Sequence, residues 1–209
     1  MHLKHRTLIC LFGYLVALGN TMAQSSCSGD IKVQSQADLD PIKSCKKYTG
    51  SISIDKVSSV DLSLPGVAQV DGDINVLNNE ALARLSFPQL QAVNGFKLEN
   101  NRALSKLELS SLMAARSFVV AVHPSLPAIS FPAGLSQVSK ITVTDTTIAR
   151  LEGLNMDRAD EIVIDNNMYL KNLVARNLSE VTNSMAISEN SPELTLDVCH
   201  IFMHYSQYF

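Results

Sequence analysis

The chain has 209 residues, no tryptophan, 17 Lys and Arg against 20 Asp and Glu, and a net charge of −3. The absence of a basic patch argues against a nucleic-acid partner, and the few aromatics leave no visible platform for stacking sugars or bases. No Pro- or Ser-rich linker divides the chain, so one domain is expected.

Residues 1–23 read as a signal peptide. Lys4 and Arg6 supply the charged start, Leu8 to Gly19 the apolar run, and Thr21-Met22-Ala23 a cleavage site before Gln24. The run is short for a bilayer span, which needs about 20 residues. An uncleaved anchor is the alternative, and either reading sends the chain into the secretory pathway. The mature domain is then 24–198.

Cys10 leaves with the signal, so Cys27, Cys45 and Cys199 remain. Cys27 and Cys45 bracket a short helix, Ser35-Gln36-Ala37-Asp38-Leu39, with Ser35 as its N-cap and Asp38 at the capping-box position. In an oxidising compartment these two cysteines are expected to form a disulfide, stapling the helix as a lid over the first coil.

Beyond the lid, a unit of about 22 residues repeats, built on apolar–x–apolar–x–Asn–Asn–x–x–Leu. Ile74 to Leu82, Phe96 to Leu104 and Ile162 to Leu170 are clean copies, and degraded copies begin near 52, 118, 141 and 185. Each start alternates apolar and polar residues, which predicts a short strand. The strand ends at the Asn pair, because Asn tolerates the left-handed backbone region and bonds nearby backbone groups. The Asn pairs are read as a structural ladder on the turn. Leu82, Leu104, Leu170 and Leu194 then point inward, followed by Leu85, Leu107, Leu151 and Leu173. Ser86 to Leu90 and Ser130 to Pro132 suggest strands on a third side. A repeat of this length implies a solenoid in which no unit buries its apolar face alone.

Candidate chemistry is sparse. Asn177-Leu178-Ser179 is an N-glycosylation sequon in an exposed connection, making Asn177 the candidate glycan site. His123, beside Pro124, is placed in a turn and read as solvated. Cys199, His200 and His204 have loose metal-ligand spacing, but no helix signal and no acidic fourth ligand accompany them, so no metal is assigned. A β-helix enzyme would need carboxylates clustered on neighbouring coils. Asp71, Asp73, Asp145 and Asp165 are instead read as turn-satisfying residues, so no catalytic residue, cofactor or metal is expected.

The stretch from Cys27-Ser28-Gly29-Asp30-Ile31 through Ser35 to Leu39, Ser44-Cys45 and Thr49-Gly50-Ser51-Ile52-Ser53-Ile54 resembles the opening of a receptor L-domain. More narrowly it resembles the fungal GPI-anchored cell-wall organisation proteins, and the later Leu-x-x-Leu spacings and Phe87-Pro88-Gln89-Leu90 continue the likeness. The resemblance implies a right-handed parallel β-helix of L-domain type. It also implies a secreted, non-enzymatic protein of the cell wall or outer plasma-membrane face. Its partners would be wall polysaccharide or other wall and surface proteins. The alternative is a receptor-like module binding a protein or glycan ligand. Membrane attachment would come only through a GPI anchor in full-length relatives. The chain lacks their Ser-rich stalk and apolar tail, and residues 199–209 form an atypical ending, read as a truncation or mispredicted exon, with a genuine short paralogue as the rival.

Overall fold

The computed structural model describes residues 27–198 and the backbone of Phe202 and Met203. The expected signal peptide (1–23), Cys199, His200 and His204 lie outside the described residues. The chain winds as a parallel β-solenoid. Its main sheet runs β1 (Ile31–Val33), β3 (Ile52–Asp55), β5 (Gln69–Leu77), β7 (Ala92–Glu99), β9 (Ala114–His123), β11 (Gln137–Thr146), β13 (Arg158–Asp165), β15 (Glu180–Ser188) and β17 (Phe202–Met203), with β2 (Lys47–Tyr48) also pairing to β5. A second face carries two sheets. One is β4 (Asp61–Ser63), β6 (Arg84–Ser86) and β8 (Lys106–Glu108). The other is β10 (Ala128–Leu135), β12 (Arg150–Leu154), β14 (Asn172–Ala175) and β16 (Thr195–Val198). Coils one to seven are counted from β3/β4 to β15/β16. From the ending set apart as 199–209, Phe202 and Met203 pair in parallel with Glu180 and Val181.

Equivalent residues stack directly. Ile52, Ile74, Phe96, Phe118, Ile141 and Ile162 share one inward column of the main sheet, and all are buried. Aromatic rings fill the middle: Phe87 meets Phe96 edge-on at 5.9 Å, Phe96 stacks on Phe118 at 5.7 Å, and Phe118 meets Phe131 edge-on at 5.0 Å. Such offset and edge contacts suit the ring quadrupole, in addition to the area buried. Leu82, Leu104 and Leu170 are buried as the repeat predicts, and Leu194 packs on the core while partly exposed. Ser86 ends β6, and Phe87 to Leu90 form a turn closed by Leu90 N–H on Phe87 C=O; Pro88 cannot donate to a ladder there. Ser130 to Pro132 do lie in a strand.

Every coil leaves the main sheet through one residue in the left-handed region: Lys56, Asn78, Asn100, Val122, Asp145, Asn166 and Glu189, all with φ between 51° and 59°. Asn and Asp tolerate this conformation, whereas the β-branched Val122 does not adopt it readily. The second residue of each Asn pair, Asn79, Asn101 or Asn167, is fully buried. Asn79 Nδ2 donates to Ile54 C=O and to Asn101 Oδ1, while Asn79 Oδ1 accepts from Val57 N–H. Asn101 Nδ2 donates to Val76 C=O and Asn101 Oδ1 accepts from Asn79 N–H. Higher up, Asn167 reaches Val143 C=O and Asn190 Oδ1, and Asn190 reaches Ile164 C=O. A buried carboxamide serves here because it offers donor and acceptor together to turn groups that water cannot reach.

His123 takes this ladder position in coil four. It is fully buried, and its ring lies beside the backbone of Leu98 and Asn101 with neither nitrogen in good hydrogen-bond geometry. The expectation of a solvated turn residue fails because the 22-residue period, carried through coil four, puts His123 in the inward column.

The lid matches the sequence reading. α1 (Gln36–Leu39) follows Ser35, and Asp38 Oδ2 accepts from Gln34 N–H and Ser35 N–H at 2.8 and 2.9 Å. Cys27 and Cys45 are bonded, with Cα atoms 5.7 Å apart. Leu39, Ile42, Cys45 and Tyr48 close the N-terminal end of the core. The chain crosses itself tightly at this end: a Cβ on Gly72 would sit 2.3 Å from Gly50 C=O, so only glycine fits the close approach. Cys45→Ser should lower the free energy of unfolding in urea by about 3 kcal/mol, the chain-entropy value for closing such a loop. Equal stability would show that the lid needs no staple.

Candidate functional site

The three-stranded sheet of the second face carries a groove of about 520 Å³ near the lid. Period-two alternation builds it. Leu62 and Leu85 turn into the core, while Asp61 and Ser63, Arg84 and Ser86, and Lys106 and Glu108 project outward in two columns. At the lid end Gln36 acts as a substitute strand: its Nε2 donates to Ser63 C=O at 2.9 Å and its Oε1 accepts from Ser63 N–H at 2.8 Å. One side chain therefore both covers the sheet edge and forms the wall of the groove.

Two acidic and two basic side chains, Asp61 and Glu108 against Arg84 and Lys106, rim the groove over a floor that includes Leu62 and Leu85. Arg84 grips Asp61 through two hydrogen bonds of 2.7 and 2.6 Å, and this pairing holds the Asp61 carboxyl below the usual carboxylate range. Glu108 accepts from Ser86 at 2.8 Å and from Ser110 at 3.3 Å. Among the described residues, Lys106 makes no ion pair. The arrangement offers hydroxyl, carboxylate, guanidinium and ammonium groups on a rigid sheet, which suits a ligand rich in hydroxyl or mixed polar groups. Asp61 is pushed toward the charged form, the reverse of what a general acid needs.

The outer face of the main sheet is small and mixed. One column runs Ser53, Asn75, Lys97, Val119, Thr142, Val163 and Ala186; the next runs Asp55, Leu77, Glu99, Ala121, Thr144, Asp165 and Ser188. Acidic residues in the second column never occupy adjacent coils. Asp145 accepts from the Asn166 carboxamide and Asp165 from the Ser188 hydroxyl, so both bond side chains of the next coil rather than the turn backbone groups expected of them. Opposite charges also alternate between coils, as in Lys140–Glu161, Arg158–Glu180 and Arg176–Asp197. Exposed pairs of this kind contribute about 0–1 kcal/mol each, so they tune the stacking rather than drive it.

Asn177 is exposed in the turn after β14, where its Nδ2 donates to Asn155 Oδ1 at 2.6 Å. Among the described residues no group of three His, Cys, Asp or Glu could hold a metal ion, and no helix is long and apolar enough to cross a membrane. The groove itself escapes sequence reading. Its residues are ordinary polar positions at an eclipsed spacing of 22 or 23, and only the coil stacking brings them together. The repeat register was the signal that could have found it.

The chain is similar to several fungal cell-wall and cell-surface proteins. It is 29% identical over 188 residues to the cell wall protein ecm33 of Schizosaccharomyces pombe, covering 88% of this chain and 44% of that protein. It is 28% identical over 187 residues to a cell surface GPI-anchored protein of Arthroderma benhamiae, covering 88% and 48%. It is 24% identical over 198 residues to the cell surface GPI-anchored protein ECM33 of Candida albicans, covering 92% and 48%. The chain thus spans less than half the length of these relatives. No family model matches it, and no solved structure matches it.

Proposed function

We propose that this relative of the fungal Ecm33-type cell-surface proteins is a non-enzymatic component of the cell wall or outer surface that contributes to wall organisation and integrity. The observation carrying the proposal is similarity over 88% of the chain to proteins named for the wall and the cell surface. The solenoid supports it, being a stack of coils held by a continuous main sheet, with many of its surface charges paired between coils. In this reading residues 1–23 direct secretion, 24–198 form the folded unit, and 199–209 follow it as a tail. Disrupting the gene in the source organism should sensitise cells to wall-digesting enzymes, and restoring the chain should reverse this. Unchanged sensitivity would refute the role.

Asn177 is proposed to carry an N-linked glycan, since its side chain is exposed and no core contact would be lost. Enzymatic deglycosylation of the secreted protein should then lower its mass by one glycan, and Asn177→Gln should remove that shift. A secreted wild-type chain at its bare polypeptide mass would exclude the modification.

The groove, with its charged and hydroxyl rim, favours a second reading, a module that binds glycan or protein at the surface. Its concrete form is retention on insoluble wall polysaccharide through Lys106, Arg84 and the serine column. Lys106→Glu combined with Arg84→Ala should reduce retention at least about tenfold without unfolding the chain, because both side chains are exposed. Full retention by the double variant would remove the groove from the binding surface.

A further inference from the structure

The solenoid is not uniformly bonded along its axis. At the entry to each second-face strand, an amide donates down to the carbonyl of the preceding coil. Ala83 donates to Val60, Ser105 to Ala83, Ala149 to Pro127, Lys171 to Ala149 and Thr195 to Lys171, at 2.8–3.2 Å. The corresponding residue of coil four is Pro127, which has no N–H to give. The second-face sheet breaks at that rung: β8 ends one sheet, β10 begins the other, and the two do not pair.

The carboxamide ladder fails at the same rung. Below it, the Asn101 side chain bonds within coils two and three; above it, Thr146 bonds to Asn167. Between them His123 is buried beside the backbone of Leu98 and Asn101, with neither ring nitrogen in good hydrogen-bond geometry, and Val122 next to it holds the left-handed conformation at φ 59°. Coils three and four remain joined by the β7–β9 ladder, by Asn100 N–H on Ala121 C=O, and by the stacked rings of Phe96 and Phe118.

We propose that the solenoid consists of two blocks, coils one to three and coils four to seven, joined across this weak rung, and that acid opens the joint through protonation of His123. The closed joint gives a charged imidazole no counter-ion. On coil three, Glu99 is paired with Lys97 and Arg102 is exposed; on coil five, Asp145 is exposed and occupied by Asn166; on its own strand, Arg116 is exposed. Burial pushes the His123 pKa below its ordinary 6.5, and the neighbouring backbone of Leu98 and Asn101 offsets this only in part. In the open joint the ring is wet and titrates normally. The open form therefore binds more protons below pH 6.5, and closure weakens as pH falls from there toward the lowered value of the closed form. Above that window the joint is indifferent to pH.

Hydrogen exchange of the whole chain at pH 7.5 and 5.0, corrected for intrinsic rates, tests both halves of the proposal. Amides of 105–109 and 118–130 should be less protected than those of coils two and six at either pH. Their opening should increase by up to about 30-fold at pH 5.0, the limit for one proton taken up with a normal open-state pKa. His123→Asn should abolish that response, and Pro127→Ala should raise protection at both pH values while keeping it. Even protection through all coils in the wild-type chain would overturn the two-block joint. A pH response surviving in His123→Asn, or absent from the wild type, would overturn the role of His123.

Discussion

A coil that returns to its own starting point every 22 residues must turn out of the main sheet inside a packed stack, where the amides of the turn cannot be left to water. The buried carboxamide column meets that constraint. The preceding residue swings through the left-handed region, and the carboxamide then bridges three levels of the stack, accepting an amide from the coil below and giving one proton to a backbone carbonyl of that coil and the other to the carboxamide oxygen of the coil above. An unpaired buried amide or carbonyl costs about 1–3 kcal/mol, so a column serving several of them outweighs any single apolar contact it displaces. Strand register, the inward leucines and the ring stack all depend on the coil closing at the same place each time.

Much of this was legible in the sequence because the constraint repeats. Three Asn pairs spaced by the period announce both the turn and the ladder, and the inward leucines follow by counting. The lid was legible because Ser35, Asp38 and the two cysteines each have a local reason to be there. What could not be read was anything set by stacking rather than by spacing within one coil. Phe87 to Leu90 alternates like a strand, yet it turns. His123 looks like a turn residue beside a proline, yet the period carries it into the core. Gln36, in a helix of four residues, completes the sheet of another element through its side chain. The groove of Asp61, Arg84, Lys106, Ser63, Ser86 and Glu108 exists only once three coils are superposed.

The same architecture accounts for the kind of function such a chain supports. Parallel coils leave few cavities, and their outer positions alternate between small residues and paired charges. Such a surface offers length, rigidity and repeated polar groups, which suit a wall component. The second face differs because Pro127 interrupts it, leaving a short sheet against the lid whose outer residues form a groove rather than a continuous plane. Fold and similarity therefore point the same way.

The ladder is tested most directly by a double-mutant cycle between Asn79 and Asn101, using Asn→Ala at each site and urea unfolding as the readout. If the column acts as a unit, either substitution breaks the shared 2.7 Å bond. The pair should then be coupled by about 1–3 kcal/mol, with the double variant little worse than either single one. Additive losses would mean that each Asn acts alone in its own turn, and that the column does not hold the coils together.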